Sequence, residues 1–313
     1  MRAATIKDGA VAVAEHENPV PGHGEVLVRV KAAGLNGADL LQRKGFYPAP
    51  PGSPPDIPGL ELAGEVAELG PDATRFAVGD RVMAIVGGGG QGELARVHER
   101  QLMAVPENLD WPAAGGVPEV FTTAHDALFT QCGLKAGERL LVHGAAGGVG
   151  TAAVQLGRAT GAHVTATVRR PEARDAVTAL GAERVLDPEE FVDAGPYDVI
   201  LELVGAPNMP GNLKAIATGA RIVVIGVGAG PKFELNLMAL MGKRASLRAS
   251  TLRARPLEEK AATARALERH VLPLLANGTL KVPVAQTFPL DAVHDAYEAF
   301  AAGGKVGKLV LVM

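Results

Sequence analysis

One stretch limits the folds open to this chain more than any other: Leu140-Leu-Val-His-Gly-Ala-Ala-Gly-Gly-Val-Gly150. The apolar run Arg139 to Val142 leads into a glycine cluster, and Gly150 to Ala159 then carries apolar residues at helical spacing. Ala145, Gly147 and Gly150 stand at the three positions of a G-x-G-x-x-G turn, with alanine at the first. In such a turn the glycines let the backbone approach a pyrophosphate and let the helix pack closely on the strand. The helix N-terminus supplies unpaired N–H groups and the positive end of a dipole, both suited to an anion. A second strand, Val164 to Val168, follows Gly161, which is the context the motif requires. A ligand-free glycine turn between strand and helix is the competing interpretation.

In a turn of this kind that prefers NAD, a carboxylate at the end of the second strand holds the ribose 2′-hydroxyl. Here that place reads Thr165-Ala-Thr-Val-Arg169-Arg170-Pro171. Two guanidinium groups favour a 2′-phosphate, because arginine pairs bidentately with phosphate oxygens. NADPH is therefore the expected cofactor. The alternative is a solvated surface pair, neutralised by Glu172 and Asp175 just downstream.

The rest of the chain has two textures. Up to about residue 115 the apolar runs are short and strand-like (Val26 to Val30, Leu60 to Val66, Arg81 to Ile85, Gly92 to Val97), separated by turn pairs such as Pro21-Gly22 and Gly79-Asp80. This predicts a β barrel or sandwich. Beyond Trp111-Pro112 strands and helices alternate: a helix over about Val120 to Cys132, one at Pro171 to Leu180, strands at Arg184 to Leu186 and Val199 to Val204, a helix at Asn212 to Thr218, and a strand at Arg221 to Ile225. That alternation predicts a parallel sheet covered on both faces. Leu257 to Ala276 and Asp291 to Ala302 read as helices, and Lys308 to Val312 as a last strand able to pair back with the first domain.

With 313 residues and 47% hydrophobic character the chain can build two domains. A charged fraction of 21% and a net charge of −3 give no electrostatic footprint for nucleic acid or an anionic membrane, so a small neutral ligand is expected. The single cysteine, Cys132, excludes an internal disulfide and a thiolate-rich zinc cluster, and it reads as an inert thiol at a helix end. The segment Met1 to Asp8 lacks a signal peptide's apolar core and no apolar run has membrane-spanning length, so a soluble cytoplasmic protein is expected. The histidines lack metal-ligand spacing, and His143, at a strand end, reads as structural.

Four segments in this order resemble the zinc-free quinone oxidoreductase branch of the medium-chain dehydrogenase/reductase superfamily: Gly34 to Pro48, Pro58-Gly-Leu-Glu61-Leu-Ala-Gly-Glu-Val, the Gly150 cluster, and Gly307-Lys-Leu-Val-Leu. Ala38-Asp-Leu-Leu-Gln-Arg, Gly88-Gly-Gly-Gln91 and Pro118-Glu119 are most similar to its tumour-suppressor-inducible subfamily. The resemblance implies an α/β protein with a GroES-like β-barrel catalytic domain over 1–115, completed by about 280–313, and a Rossmann NADPH-binding domain over 116–279. It also implies a homodimer joined through sheet edges, with Ala245 to Ser250 as the edge strand. Zinc-dependent relatives carry a cysteine and a histidine where this chain has Asn36 and Leu60, so no metal is expected. Without a metal to hold an alkoxide, reduction of an electron-poor quinone or alkene is the easier direction.

By the same resemblance Asn36 touches the nicotinamide side of the cofactor or orders the acceptor, its amide able to donate and accept together, and Tyr47 orients or protonates an acceptor oxygen. Cofactor contacts fall on Thr123, on Ala146, Gly147, Gly148 and Val149 of the turn, on Arg169 and Arg170, on Val204, Gly205 and Gly226 at strand ends, on Thr251, Leu252 and Arg253, and on Lys308. Asp39 and Glu61 read as structural. The chain also departs from its relatives: Gly147 replaces a subfamily serine, Leu41 and Pro188 replace tyrosines, and Ala173 replaces a phosphate-binding lysine. The expected function is reduction of a small quinone by NADPH. An alkenal or enone double-bond reductase, or a weakly catalytic NADPH-binding module, are the alternatives.

Overall fold

Antiparallel strands dominate the first part of the chain. Strands β1 (Arg2–Lys7) and β2 (Ala10–Glu15) form a hairpin turned at Asp8-Gly9, both with positive φ. Strands β3 (Glu25–Gly34), β4 (Glu61–Leu69), β5 (Arg81–Ile85), β6 (Leu94–His98) and β7 (Met103–Ala104) pair antiparallel, with β6 on β3. Their alternation buries Val26, Val28, Val30, Leu62, Val66, Val82 and Val97 in one core, as period-2 strands with one wet face must. Helix α1 (Gly37–Arg43) interrupts β3 and β4, and α2 (Trp111–Gly115), capped by Asp110, follows β7.

The computed structural model describes residues 1–313 and divides them into two units: Met1–Thr122 with Leu252–Gly303 and Lys308–Met313, and Thr123–Thr251 with Gly304–Gly307. The division falls inside helix α3 (Pro118–His125), which continues as a π-helical stretch, Asp126–Gln131.

The second unit holds β8 (Arg139–Val142), α4 (Gly148–Thr160), β9 (His163–Thr167), α5 (Arg174–Ala179), β10 (Arg184–Leu186), β11 (Tyr197–Glu202), α6 (Met209–Ala215), β12 (Ile216–Val224), α7 (Leu237–Lys243) and β13 (Ser246–Ala249). All six strands are parallel, in the order β10-β9-β8-β11-β12-β13. This is the doubly wound dinucleotide-binding order, with its direction reversing between β8 and β11. The expected Rossmann sheet is therefore present, and the turn after β8 lies where such sheets place ligands.

The last part of the chain adds α8 (Leu257–His270), α9 (Leu272–Ala276), β14 (Val284–Pro289), α10 (Val293–Ala302) and β15 (Lys308–Val312). As expected, β15 returns to the first unit, pairing antiparallel with β3 and parallel with β14, and it buries Leu309 and Leu311 against Tyr297 and Leu35. No helix is long and apolar enough to cross a membrane.

Two local expectations need correction. The helix expected over Asn212 to Thr218 ends at Ala215, and Ile216 pairs with Tyr197 at the start of β12, where branched Ile216 and Thr218 suit a strand. The helix expected over Leu257 to Ala276 is broken at Val271, because Pro273 lacks an N–H and crowds the turn before it. The two structural units divide at Thr122 and Leu252. Helix α8 packs on the first unit's β7 and the turn before it, where the Arg265 guanidinium donates to Leu102 O at 2.6 Å.

Candidate functional site

In the parallel-sheet unit the turn residues lie between β8 and α4. Gly147 is the N-cap of the 13-residue α4, and no side chain caps it. The first-turn N–H groups, which have no partner within the helix, are left for an anion. Gly150 shows why this position excludes a side chain: a Cβ there would sit 2.6 Å from Ala145 Cα. Such approach lets the helix N-terminus seat against the strand end. Gly205 has φ +117°, and a Cβ on it would come within 2.6 Å of Gly230 O; a Cβ on Gly226 would come within 2.8 Å of Leu203 C. These two glycines are thus required by backbone packing in their own right.

The same unit holds a buried polar layer made from the ends of three strands and from α6. Asn212 Nδ2 donates to Glu202 Oε2 at 2.8 Å, so Asn212 Oδ1 faces His143 and accepts from its Nε2–H at 2.8 Å. His143 Nδ1 is then the acceptor for the Thr167 hydroxyl at 2.9 Å. Burial lowers the His143 pKa below the ordinary imidazole value, which keeps this ring neutral. Glu202 Oε1 accepts from Val204 N at 2.7 Å and Gly205 N at 2.9 Å, fixing the backbone at the end of β11.

Arg169 and Arg170 lie just beyond β9, both exposed. Neither pairs with Glu172 or Asp175; the guanidinium that meets a carboxylate nearby is Arg174, 3.6 Å from Asp187. The end of β9 therefore carries two exposed cations that do not pair with the carboxylates just downstream.

In the barrel unit two of the resemblance-derived residues, Asn36 and Lys308, lie in a buried ion-pair cluster. Lys308 Nζ donates to Glu61 Oε1 (2.5 Å), Leu35 O (2.8 Å) and Asn36 Oδ1 (2.8 Å), committing all three ammonium hydrogens. Asn36 Nδ2 donates to Glu61 Oε1 at 3.0 Å and to Gly34 O at 3.2 Å. Both amide hydrogens of Asn36 are therefore spent, and what remains to it is the second lone pair of Oδ1. Glu61 Oε2 accepts from Glu119 N at 2.8 Å. A Cβ on Gly34 would collide with the Glu61 carboxylate and Lys308 Cε, so the glycine makes room for the pair.

Asp39 accepts from Asn36 N (2.8 Å), Gly59 N (3.2 Å) and Gln91 Nε2 (3.3 Å). Burial pushes its carboxyl up to about 6 against the opposing pull of these backbone donors and of Lys308. Tyr47 is half-buried on the loop after α1, and its hydroxyl makes no hydrogen bond; burial, then the Glu119 charge, raise its pKa, so the phenol keeps its proton at neutral pH. Arg253 holds that loop: it donates to Gly87 O (2.8 Å), Tyr47 O (2.7 Å) and Gln42 Oε1 (2.6 Å), with its guanidinium 5.1 Å from the Tyr47 ring centre. Leu41 and Phe46 of the same segment are exposed, Phe46 to 78%.

The barrel unit thus brings Asn36 and Lys308 into one cluster and Tyr47 and Arg253 into another; Leu252 is buried, Thr251 exposed, and Thr123 buried on α3. Sequence reasoning missed the Glu61–Lys308 pair, which joins residues 247 apart and leaves no local signal. It also missed the side-chain role of Arg253. No three His, Cys, Asp or Glu side chains converge to hold a metal ion.

Removing one partner of a buried pair leaves the other charge uncompensated, so Lys308→Met is expected to cost about 3–5 kcal/mol in urea unfolding. The double variant Lys308→Met/Glu61→Gln should lose less than the sum of the single variants; additive losses would show the pair to be uncoupled. Asp39 gives a pH signature. Its folded pKa of about 6 lies above the ordinary 3.8, so its proton stabilises the fold fully below about pH 3.8, and this stabilisation is lost as pH rises through about 6. Wild-type stability should therefore fall relative to Asp39→Asn across that window, and parallel curves would refute the assignment.

Family models match two segments of the chain: an alcohol dehydrogenase GroES-like domain over residues 22–107 and a zinc-binding dehydrogenase domain over 148–268. Human quinone oxidoreductase is 32% identical over 306 residues, covering 94% of this chain and 91% of that protein. The spectinabilin polyketide synthase system protein NorB of Streptomyces orinoci is 35% identical over 301 residues, 93% of this chain but 13% of the synthase. Among solved structures, a thermostable alcohol dehydrogenase from Pyrobaculum aerophilum superposes with a TM-score of 0.87 at 29% identity, over 100% of this chain and 99% of that one. With a matching barrel domain, a matching Rossmann domain and a full-length relative at this identity, the chain belongs to the quinone oxidoreductase family of the medium-chain dehydrogenase/reductase superfamily of oxidoreductases.

Proposed function

We propose that this protein is a zinc-independent, NADPH-dependent reductase of small quinones. The observation that carries the cofactor half of this reading is the uncapped α4 N-terminus in a doubly wound sheet, with two exposed arginines and no carboxylate partner at the end of β9. Ala146, Gly147, Gly148 and Val149 would hold the pyrophosphate, Arg169 and Arg170 the 2′-phosphate. Val204, Gly205, Gly226, Thr123, Thr251, Leu252 and Arg253 are the further cofactor contacts. A bound NADPH supplies the reducing equivalents.

The barrel unit supplies the acceptor chemistry. Tyr47 holds a phenolic proton at neutral pH on a hydroxyl with no other partner, which suits delivery of a proton to an acceptor oxygen. Asn36 enters as a hydrogen-bond acceptor through Oδ1, since both amide hydrogens are committed. Lys308 acts through Asn36, orienting its carboxamide, because no ammonium hydrogen is left for a ligand. Exposed Leu41 and Phe46 beside Tyr47 favour a flat, apolar acceptor over a charged one. Zinc independence rests on the residues themselves: Asn36 is tied to Lys308 and Glu61, and Leu60 has no donor atom.

A homodimer is part of the same reading. Strand β13 has a partner on one side alone, and α7, which leads into it, exposes Leu237, Met238 and Met241. A long apolar patch beside an open sheet edge is a surface that monomers avoid. Met241→Glu is expected to convert a dimer into a monomer in light scattering; a wild-type monomer would refute this element.

Purified protein given a small ortho-quinone should oxidise NADPH faster than NADH, unaffected by a chelator. Tyr47→Phe should lower kcat about tenfold or more while leaving NADPH affinity unchanged. Turnover of alkenals without turnover of quinones would replace this reading with double-bond reduction, and tight NADPH binding with neither activity would replace it with a binding module.

A further inference from the structure

The segment Gly304–Gly307 comes from the C-terminal part of the chain yet belongs to the parallel-sheet unit. Backbone pairing pins it along the dinucleotide turn. Gly307 N donates to Ala146 O at 2.8 Å, and Gly307 forms a parallel bridge with Gly147. The residue that opens this segment, Gly304, has φ +81°, and a Cβ built on it would overlap the Arg170 guanidinium, with Nη1 the nearest atom. Arg170 therefore lies across the backbone of Gly304, in space that any other residue would fill. One of the two cations at the end of β9 thus occupies space that a glycine far along the chain leaves open.

We propose that Gly304 is a specificity-determining position for the cofactor: by ceding its Cβ space to Arg170, it lets the guanidinium lie at the strand end that receives the adenosine ribose, and so favours a 2′-phosphate over a 2′-hydroxyl. This rests on reading the turn as an NADPH site. The sequence motif ends at Gly150 and the arginines lie at 169 and 170, so nothing local assigns Gly304 to the same site. Its contribution is indirect. Gly304 is a positioning residue, and the phosphate contact is made by Arg170.

Gly303 provides an internal control. It too has positive φ, +69°, but a Cβ on it would have open space. Gly303→Ala and Gly304→Ala both place an alanine at positive φ, and only the second displaces Arg170. The arginine terminus is flexible, so Gly304→Ala moves the guanidinium and leaves the fold intact; Gly304→Asn, which tolerates positive φ better and still carries a Cβ, covers the case where alanine impairs folding.

The experiment titrates the full-length protein with NADPH and with NADH, reading Kd by fluorescence for the wild type, Gly303→Ala, Gly304→Ala, Gly304→Asn, Arg170→Ala and the Gly304→Ala/Arg170→Ala pair. Gly304→Ala and Gly304→Asn should weaken NADPH binding about tenfold with NADH unchanged, the loss of roughly one charge-assisted hydrogen bond. Gly303→Ala should change neither, and the double variant should be no weaker than Arg170→Ala. The proposal is overturned if Gly304→Ala keeps the wild-type preference while Arg170→Ala loses it, or if Gly303→Ala weakens NADPH binding equally. A wild type that binds NADPH and NADH alike would instead remove the NADPH reading, and this proposal with it.

Discussion

The barrel unit is organised around one buried charge pair. Glu61 lies at the start of β4 and Lys308 at the start of β15, and both side chains are withdrawn from water. Two ions in a low-dielectric interior are costly unless every lone pair and proton is satisfied. Here the satisfaction is nearly complete: Glu61 takes bonds from Lys308, Asn36 and the Glu119 backbone, and Lys308 spends its remaining hydrogens on Leu35 O and Asn36 Oδ1. The pair therefore ties the last strand to the middle of the sheet and fixes the carboxamide of Asn36 in one orientation. An apolar pair of similar volume could hold the strands, but it could not orient an amide.

This has a consequence for the chemistry. A free asparagine is both donor and acceptor, whereas Asn36 is locked as an acceptor because Glu61 and Gly34 O consume its hydrogens. The loop that carries Tyr47 is held by a different device. Arg253 draws in the carbonyls of Gly87 and Tyr47 and the Gln42 amide, and it also lies over the tyrosine ring. Asn36 and the Tyr47 loop are thus held by two separate cations: Lys308 spends all three ammonium hydrogens on protein atoms, and Arg253 spends three of its five N–H donors.

What could be read from the sequence follows the range of the interactions. The Ala145-Gly147-Gly150 spacing is a local necessity of a strand–turn–helix with close approach, so the turn, β8, α4 and β9 were legible within a residue or two. The end of α6 was not, because Ile216 to Thr218 become strand through pairing with Tyr197, a tertiary preference that outweighs helical spacing. Likewise α8 belongs to the barrel through contacts with β7 and Leu102, which no composition shift at Leu252 announces. In the site, resemblance named Asn36, Tyr47, Arg253 and Lys308, but their hydrogen-bond partners lie up to 273 residues away in sequence and set what each group can still do.

The parallel-sheet unit handles its buried polar groups differently. Glu202 has no full counter-charge; two backbone N–H groups, two asparagine amides and a neutral histidine at 3.8 Å surround it. Neutral donors can stabilise a buried carboxylate when they are numerous and preorganised. Here two of them are the backbone N–H groups of the bend at Val204 and Gly205, where Gly205 has φ +117°, and the other two are the amides of Asn208 and Asn212, so the carboxylate ties the bend to α6. The end of β11 is therefore stiff before any ligand arrives, which lowers the ordering cost that binding at the strand ends would otherwise incur.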